Sequence, residues 1–226
     1  MGRSSSPQWL REHAADPYVR AAQRDGYRSR AAYKLLDLQR SVSDRNGVVQ
    51  PLLRAGMAVL DLGAAPGGWS QVAAQLIGPS GLLLAVDLLP IAPISGATIL
   101  QGDFLQESTL AWIHTHLNQR GYKGVDVLLS DMAPNLSGIR AADQARTAQL
   151  VEDLLALTPT LVRPGGSLVV KLFQGSDSQA LLQQARQLFR QIKLVKPDAS
   201  RDRSAEHYLV GIQFRESNGI QIGPST

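Results

Sequence analysis

Three glycines and two acids, each just past an apolar run, are the first residues of this chain suited to handling a ligand. Val59-Leu60-Asp61-Leu62-Gly63-Ala64-Ala65-Pro66-Gly67-Gly68-Trp69 leaves a strand-like run and opens a helix-like one. Ligands of open α/β sheets bind beyond the carboxyl ends of strands. Glycine there lets the main chain approach a ligand with no Cβ between them. A pyrophosphate cradle would read G-x-G-x-x-G. Here the glycines stand at 63, 67 and 68 with a proline before the last two, which suits a ligand whose adenosine and amino-acid parts lie over the loop. Asp87 ends the next apolar run, where a carboxylate can accept both ribose hydroxyls of an adenosine. Asp103, in Gly102-Asp103-Phe104, follows the third run, within reach of an adenine amino group, and Phe104 can pack on the ring. Each feature has a plainer counterpart: glycine-rich turns are common, and an Asp capping a helix is commoner still. Three of them after three successive strands favour a nucleoside cofactor.

Four further charges are candidates for the reaction itself. Lys171 interrupts Leu168-Val169-Val170-Lys171-Leu172-Phe173, and lysine is almost never fully buried without a partner. At the wet carboxyl end of its strand it would lie at the site anyway. Asp131 ends VLLSD and leads into Met132-Ala133-Pro134-Asn135, so it too falls at that edge. Lys34 lies in the basic helix RSRAAYKLL, and Glu206 begins the last strand in Ser204-Ala205-Glu206-His207-Tyr208. By residue type alone these last two read as a solvated helix lysine and an ordinary strand-edge acid. The four histidines, at 13, 114, 116 and 207, form no metal-binding pattern, and no Ser-His-Asp arrangement is visible.

These residues need a scaffold that brings strand ends together. Strand-like runs occupy 57–63, 82–88, 125–131, 167–173 and 207–214, with shorter ones at 98–100 and 192–196; helical periodicity fits 29–41, 68–77, 143–161 and 177–189. Near-continuous apolar strands are covered on both faces, and their alternation with helices means a parallel, doubly wound sheet. Only ten residues separate the last two runs, too few for a parallel crossover. An antiparallel hairpin at the sheet edge is therefore predicted, with one strand reversed.

The chain has 226 residues, 44% hydrophobic and 19% charged, which suits one α/β domain over 1–226. No apolar run reaches the ~20 residues of a membrane span, and the polar N-terminus lacks an apolar core of a secretory signal. No cysteine is present, which removes disulfides and thiolate metal sites and fits a cytoplasmic protein. The net charge of +4 is unevenly placed: residues 1–40 and 186–203 each carry +4, so the remainder carries −4. Two basic segments on a neutral-to-acidic body suit a polyanion surface, although solvated helix faces account for them about equally well. Residues 1–7 and 216–226 have the composition of loose ends.

Seven segments, in order, carry a resemblance: SSPQWLREHAADPYVRAAQRDGYRSRAAYKL, VLDLGAAPGGWSQ, VDLLP, QGDF, SDMAPNLSG, LVRPGGSLVVKLFQG and KPDASRDRSAEHYLV. Along nearly its whole length the chain resembles the FtsJ family of ribosomal RNA methyltransferases. The resemblance implies a Rossmann-like α/β methyltransferase fold, a seven-stranded mostly parallel sheet with the last strand antiparallel and helices on both faces. It implies S-adenosyl-L-methionine as cofactor, held by Gly67, Trp69, Asp87, Asp103 and Asp131 beside the Gly63 turn. It implies a catalytic tetrad of Lys34, Asp131, Lys171 and Glu206, and no metal. The substrate implied is a uridine 2′-hydroxyl in the A-loop of 23S rRNA on the large ribosomal subunit, met by a monomeric enzyme. To act as base Lys171 must be neutral; burial and a nearby Lys34 cation favour that form, while Asp131 and Glu206 favour the cation. Arg28, Arg30, Arg201 and Arg203 flank Lys34 and Glu206 and are expected to form an RNA-facing rim. The stretch 114–124 looks like a family-variable loop. A tRNA substrate and a non-catalytic RNA-binding assembly factor are the alternatives; the intact tetrad disfavours the second.

Overall fold

The computed structural model describes residues 16–40, 50–133, 140–173, 178–201 and 204–216. Two short helices come first, α1 (Pro17–Asp25) and α2 (Ala31–Gln39). Asp16 caps α1 by accepting from the Tyr18 N–H, Pro17 takes the first turn, and Gly26 ends the helix at φ 76°. The sheet and its crossovers follow as β1 (Ala58–Leu62), α3 (Gly68–Ile77), β2 (Leu82–Asp87), β3 (Ala97–Gln101), α4 (Glu107–Gln119) and β4 (Val125–Ser130). The chain continues through α5 (Arg140–Leu161), β5 (Val162–Phe173), α6 (Ser178–Leu188), β6 (Phe189–Val195) and β7 (Glu206–Phe214).

The seven strands lie in the order β3-β2-β1-β4-β5-β7-β6. β1 to β5 are mutually parallel, and β7 runs antiparallel to both β5 and β6. The predicted hairpin is thus present, with β6 as the outer strand and β7 inserted between it and β5. Because β7 is reversed, its first residue, Glu206, pairs with the last residue of β5, Phe173. The start of β7 therefore lies at the same edge as the carboxyl ends of the parallel strands.

Period-two alternation divides the core into two layers. Leu60, Leu62, Leu84, Leu128, Leu168 and Leu209 face α4, α5 and α6. Val59, Leu83, Val127, Leu129, Val169, Tyr208 and Val210 face α2 and α3. Positions 61, 171 and 206 share the parity of this second set, so Asp61, Lys171 and Glu206 fall on the α2 face.

Two elements were not anticipated. α1 lies where no helix was predicted; only Val19 and Ala22 of its residues are buried, too narrow an apolar stripe to show in the sequence. The stretch 114–124 is a loop only in its second half, since α4 runs on to Gln119. Ile113 and Leu117, 0% and 1% exposed, are four residues apart and anchor the helix on the core despite the polar residues between them.

Candidate active site

The loop after β1 turns at Gly63, φ 73°, where a Cβ would sit 1.8 Å from Met132 Cγ, and at Gly67, φ 109°, where it would sit 2.7 Å from Ile94 Cδ1. Both positions exclude a side chain twice over, by backbone angle and by space. Beside this loop opens a cavity of about 600 Å³, walled by Gly63, Ala65, Asp87, Asp103, Phe104 and Asp131 among others. That volume lies within the ~300–1,000 Å³ of cofactor sites. Leu88 and Leu89, 67% and 64% exposed, stand on its wall.

Asp87 is anchored by two main-chain donors, Ala65 N at 2.8 Å and Leu89 N at 2.7 Å. Asp103 accepts from Leu105 N at 3.0 Å. Asp103 is thereby oriented at the cavity wall by its own loop, and Asp87 by its own loop together with the loop after β1. Gly67 and Trp69 are not on that wall. The Trp69 indole is 3% exposed, donates to Ala31 O at 2.8 Å, and so fastens α3 to the first turn of α2.

The four reactive candidates converge. Lys171 Nζ donates to the Asp131 carboxylate at 2.6 Å and to the Asp131 main-chain oxygen at 2.7 Å. Lys34 Nζ lies 2.7 Å from Glu206 Oε1 and 4.0 Å from Asp131 Oδ1. Both lysines are buried, Lys34 at 9% and Lys171 at 8% exposed. A pair of cations and a pair of carboxylates so close compensate each other's desolvation. Burial pushes the Glu206 carboxyl up, but the charge and hydrogen bond of Lys34, joined by the charge of Lys171, outweigh it and hold the group below its ordinary value.

Two residues complete the network that residue reading did not single out. The Tyr208 hydroxyl donates to Asp131 Oδ1, its ring lies 5.7 Å from Lys34 Nζ and 5.5 Å from the Trp69 ring, and its backbone pairs with Lys171 across β5 and β7. Burial, then the Asp131 charge, push its phenol strongly up, so it stays a donor. Asp61, 1% exposed in the middle of the sheet, accepts from Ser70 Oγ at 2.6 Å. Burial outweighs that hydrogen bond and, with the charges of Asp131 and Asp87, pushes its carboxyl up to about 7. The signal for Asp61 was present: an acid inside an apolar strand, the same anomaly that marked Lys171.

The arginines expected at the rim have main-chain and acid partners. Arg28 donates to Pro66 O, Ala92 O and Pro93 O. Arg30 pairs with Asp16 and donates to Ala199 O. Arg201 lies 3.5 Å from Asp16, its side chain 34% exposed. Arg203 and Asn135, with residues 1–15 and 217–226, lie outside the described residues. Among the described residues no cluster of His, Asp and Glu is placed to hold a metal, and no helix is long and apolar enough to cross a membrane.

A sheet of this topology, with a nucleoside-sized cavity at its carboxyl edge, defines the Rossmann-like methyltransferase class. A model of the FtsJ-like methyltransferases matches residues 27–214, and the chain belongs to that family. It is 49% identical over 213 residues to the ribosomal RNA large subunit methyltransferase E of Magnetococcus marinus, covering 94% of this chain and 98% of that one. It is 50% identical over 216 residues to the protein of the same name in Pseudomonas aeruginosa PAO1, covering 95% and 99%. Among solved structures, a Plasmodium falciparum protein assigned as a ribosomal RNA methyltransferase superposes with a TM-score of 0.69 at 25% identity, over 83% of this chain and 98% of that one. Aeropyrum pernix fibrillarin, solved with bound S-adenosyl-L-methionine, shares the fold at a TM-score of 0.50 and 20% identity, over 82% and 75% of the two chains.

Proposed function

We propose that this protein transfers the methyl group of S-adenosylmethionine to a uridine 2′-hydroxyl in the A-loop of 23S rRNA, on the large ribosomal subunit in the cytoplasm. The observation that carries the reading is the double membership of Asp131: it walls the cofactor-sized cavity and it holds Lys171. Relatives covering nearly the whole chain at about half identity bear the large-subunit name, which supports the substrate. Both halves of the site are built by one chain, with Lys34 on α2 and its partners at the sheet's carboxyl edge, which supports one chain as the working unit.

The cavity residues suit the cofactor. On the cavity wall, Asp87 would meet the ribose hydroxyls, Asp103 the adenine edge and Phe104 its face, and the Gly63 turn leaves room for close approach of the main chain. When bound, S-adenosylmethionine supplies a sulfonium-activated methyl group. The remaining task is to present a hydroxyl oxygen in line with it. Lys171, fixed by two acceptors on Asp131, orients that hydroxyl as the ammonium, or as the neutral amine takes its proton. Alignment of this kind lowers a barrier by several kcal/mol, and a placed base adds roughly 10²–10⁴-fold. Lys34, held by Glu206, meets the ribose or its phosphate. Arg201, on the segment that runs into Glu206, and Arg203 are assigned to the RNA rim, where each phosphate contact adds to the salt dependence of binding.

The test is methyl transfer from labelled S-adenosylmethionine to large subunits lacking the modification, with digestion and mass spectrometry to locate the product. A 2′-O-methyluridine in the A-loop, absent with Lys171→Ala, is the expected result. Incorporation into tRNA and not into subunits would overturn the substrate, and binding of cofactor with no transfer to any RNA would overturn the catalytic reading.

A further inference from the structure

Arg28 was expected to face RNA, and its guanidinium is engaged elsewhere. Nη1 donates to Pro66 O at 3.1 Å and to Ala92 O at 2.7 Å, and Nη2 donates to Pro93 O at 2.6 Å. The acceptors belong to two loops. Pro66 follows Ala65, a cavity-wall residue of the loop after β1; Ala92 and Pro93 follow Leu88 and Leu89, wall residues of the loop after β2. Across the cavity side the same two loops are joined by Asp87, which accepts from both Ala65 N and Leu89 N. Arg28 thus closes the outer side of a junction whose inner side is Asp87.

Among the described residues the second loop is otherwise held near its ends, where Gln101 Nε2 donates to Leu88 O at 3.0 Å and Ala97 N to Ile94 O at 3.1 Å. Pro90 and Pro93 donate no main-chain hydrogen bond, and Leu88 and Leu89 are largely exposed. Arg28 is itself fixed, since its main-chain N–H donates to Gln71 Oε1 at 2.8 Å on α3. The fit is tight: a Cβ at Gly67 would lie 2.9 Å from Arg28 Nη1.

We propose that Arg28 is a positioning residue of the cofactor cavity, tying the loop after β1 to the loop after β2, and not a phosphate contact. The inference rests on the reading that this cavity takes S-adenosylmethionine. A planar guanidinium satisfies three carbonyls at once; an ammonium is a single flexible point charge and does not reproduce that fork. A phosphate contact, by contrast, tolerates lysine far better.

The experiment titrates S-adenosylhomocysteine into the full chain by calorimetry, without RNA, for wild type, Arg28→Lys, Arg28→Gln and Arg24→Ala. Arg24 is an exposed arginine paired with its neighbour Asp25 and serves as the control. Both Arg28 variants are expected to lose at least about ten-fold in affinity, the scale of charge-assisted hydrogen bonds, while Arg24→Ala matches wild type. Amide exchange at Ala65 and Leu89 in the folded Arg28→Lys protein should accelerate, because their junction has lost its outer tie. Wild-type affinity and exchange in Arg28→Lys would overturn the proposal, and a flattened salt slope for RNA binding in Arg28→Gln with unchanged cofactor affinity would return Arg28 to the rim. If the wild-type chain bound no S-adenosylhomocysteine, the cofactor reading itself would fall, an outcome separate from any difference between variants.

Discussion

On β1 to β3 each acid of the cavity answers to main chain: Asp87 to Ala65 and Leu89, Asp103 to Leu105. On β4, β5 and β7 side chains answer to one another, Lys171 to Asp131, Lys34 to Glu206 and Tyr208 to Asp131, through segments as much as 172 positions apart in the chain. The first half rests on loops that follow neighbouring strands, with no anchor more than 22 positions away in the chain. The second exists only when α2, β4, β5 and β7 are all in place. The cavity side can therefore be read from short motifs, whereas the paired lysines and acids depend on register.

Four substitutions sharpen the contrast. The largest expected effect is Lys171→Ala, which should lower single-turnover methyl transfer about 10³-fold with S-adenosylhomocysteine affinity near wild type; an equal loss in both would show that the halves are not separable. Asp61 stands on β1, the seam between them. Its carboxyl, raised to about 7 in the folded chain, titrates near ~3.9 when unfolded. The folded state therefore holds the extra proton between these values, and stability falls as pH rises through that window. Asp61→Asn keeps the oxygen that accepts from Ser70 and should stabilise the protein by a few kcal/mol above pH ~7 relative to acid; parallel melting curves of both proteins across pH would refute this. Asp87→Ala should weaken S-adenosylhomocysteine binding about ten-fold, since it also releases Ala65 and Leu89, and calorimetry reads it directly. Glu206→Gln keeps a hydrogen-bond partner for Lys34 and should cost only a few-fold in rate. Glu206 is held below its ordinary value, so its contribution is present above pH ~4.3 and is lost as pH falls through the lower folded value. Acid unfolding of Glu206→Gln should lack that step.

The same contrast explains what residue types alone disclosed. β1, β2, β4, β5 and β7 were legible because strands covered on both faces have no polar alternation to blur them. Asp87 and Asp103 were legible because each follows its own strand. Lys171 stood out as a charge in an apolar run, but Lys34 and Glu206 gained meaning only from the family resemblance, since a helix lysine and a strand-edge acid are commonplace. Tyr208 carried no mark at all, as nothing in His207-Tyr208-Leu209 tells that its hydroxyl meets Asp131. Arg28 donates to three main-chain oxygens, and charge composition cannot distinguish a guanidinium aimed at carbonyl oxygens from one aimed at phosphate.

The position of β7 has a consequence for synthesis. Of the described strands it is the last to be synthesised, yet it enters the sheet between β5 and β6 and not at the edge. Until it arrives, the two strands already made have no bridge between them, and non-local pairing of this kind is the slow part of folding. Because β7 brings Glu206 and Tyr208, a nascent chain can shape the cavity beside β1 to β3 early but closes the network around Asp131 only after the other six strands are made.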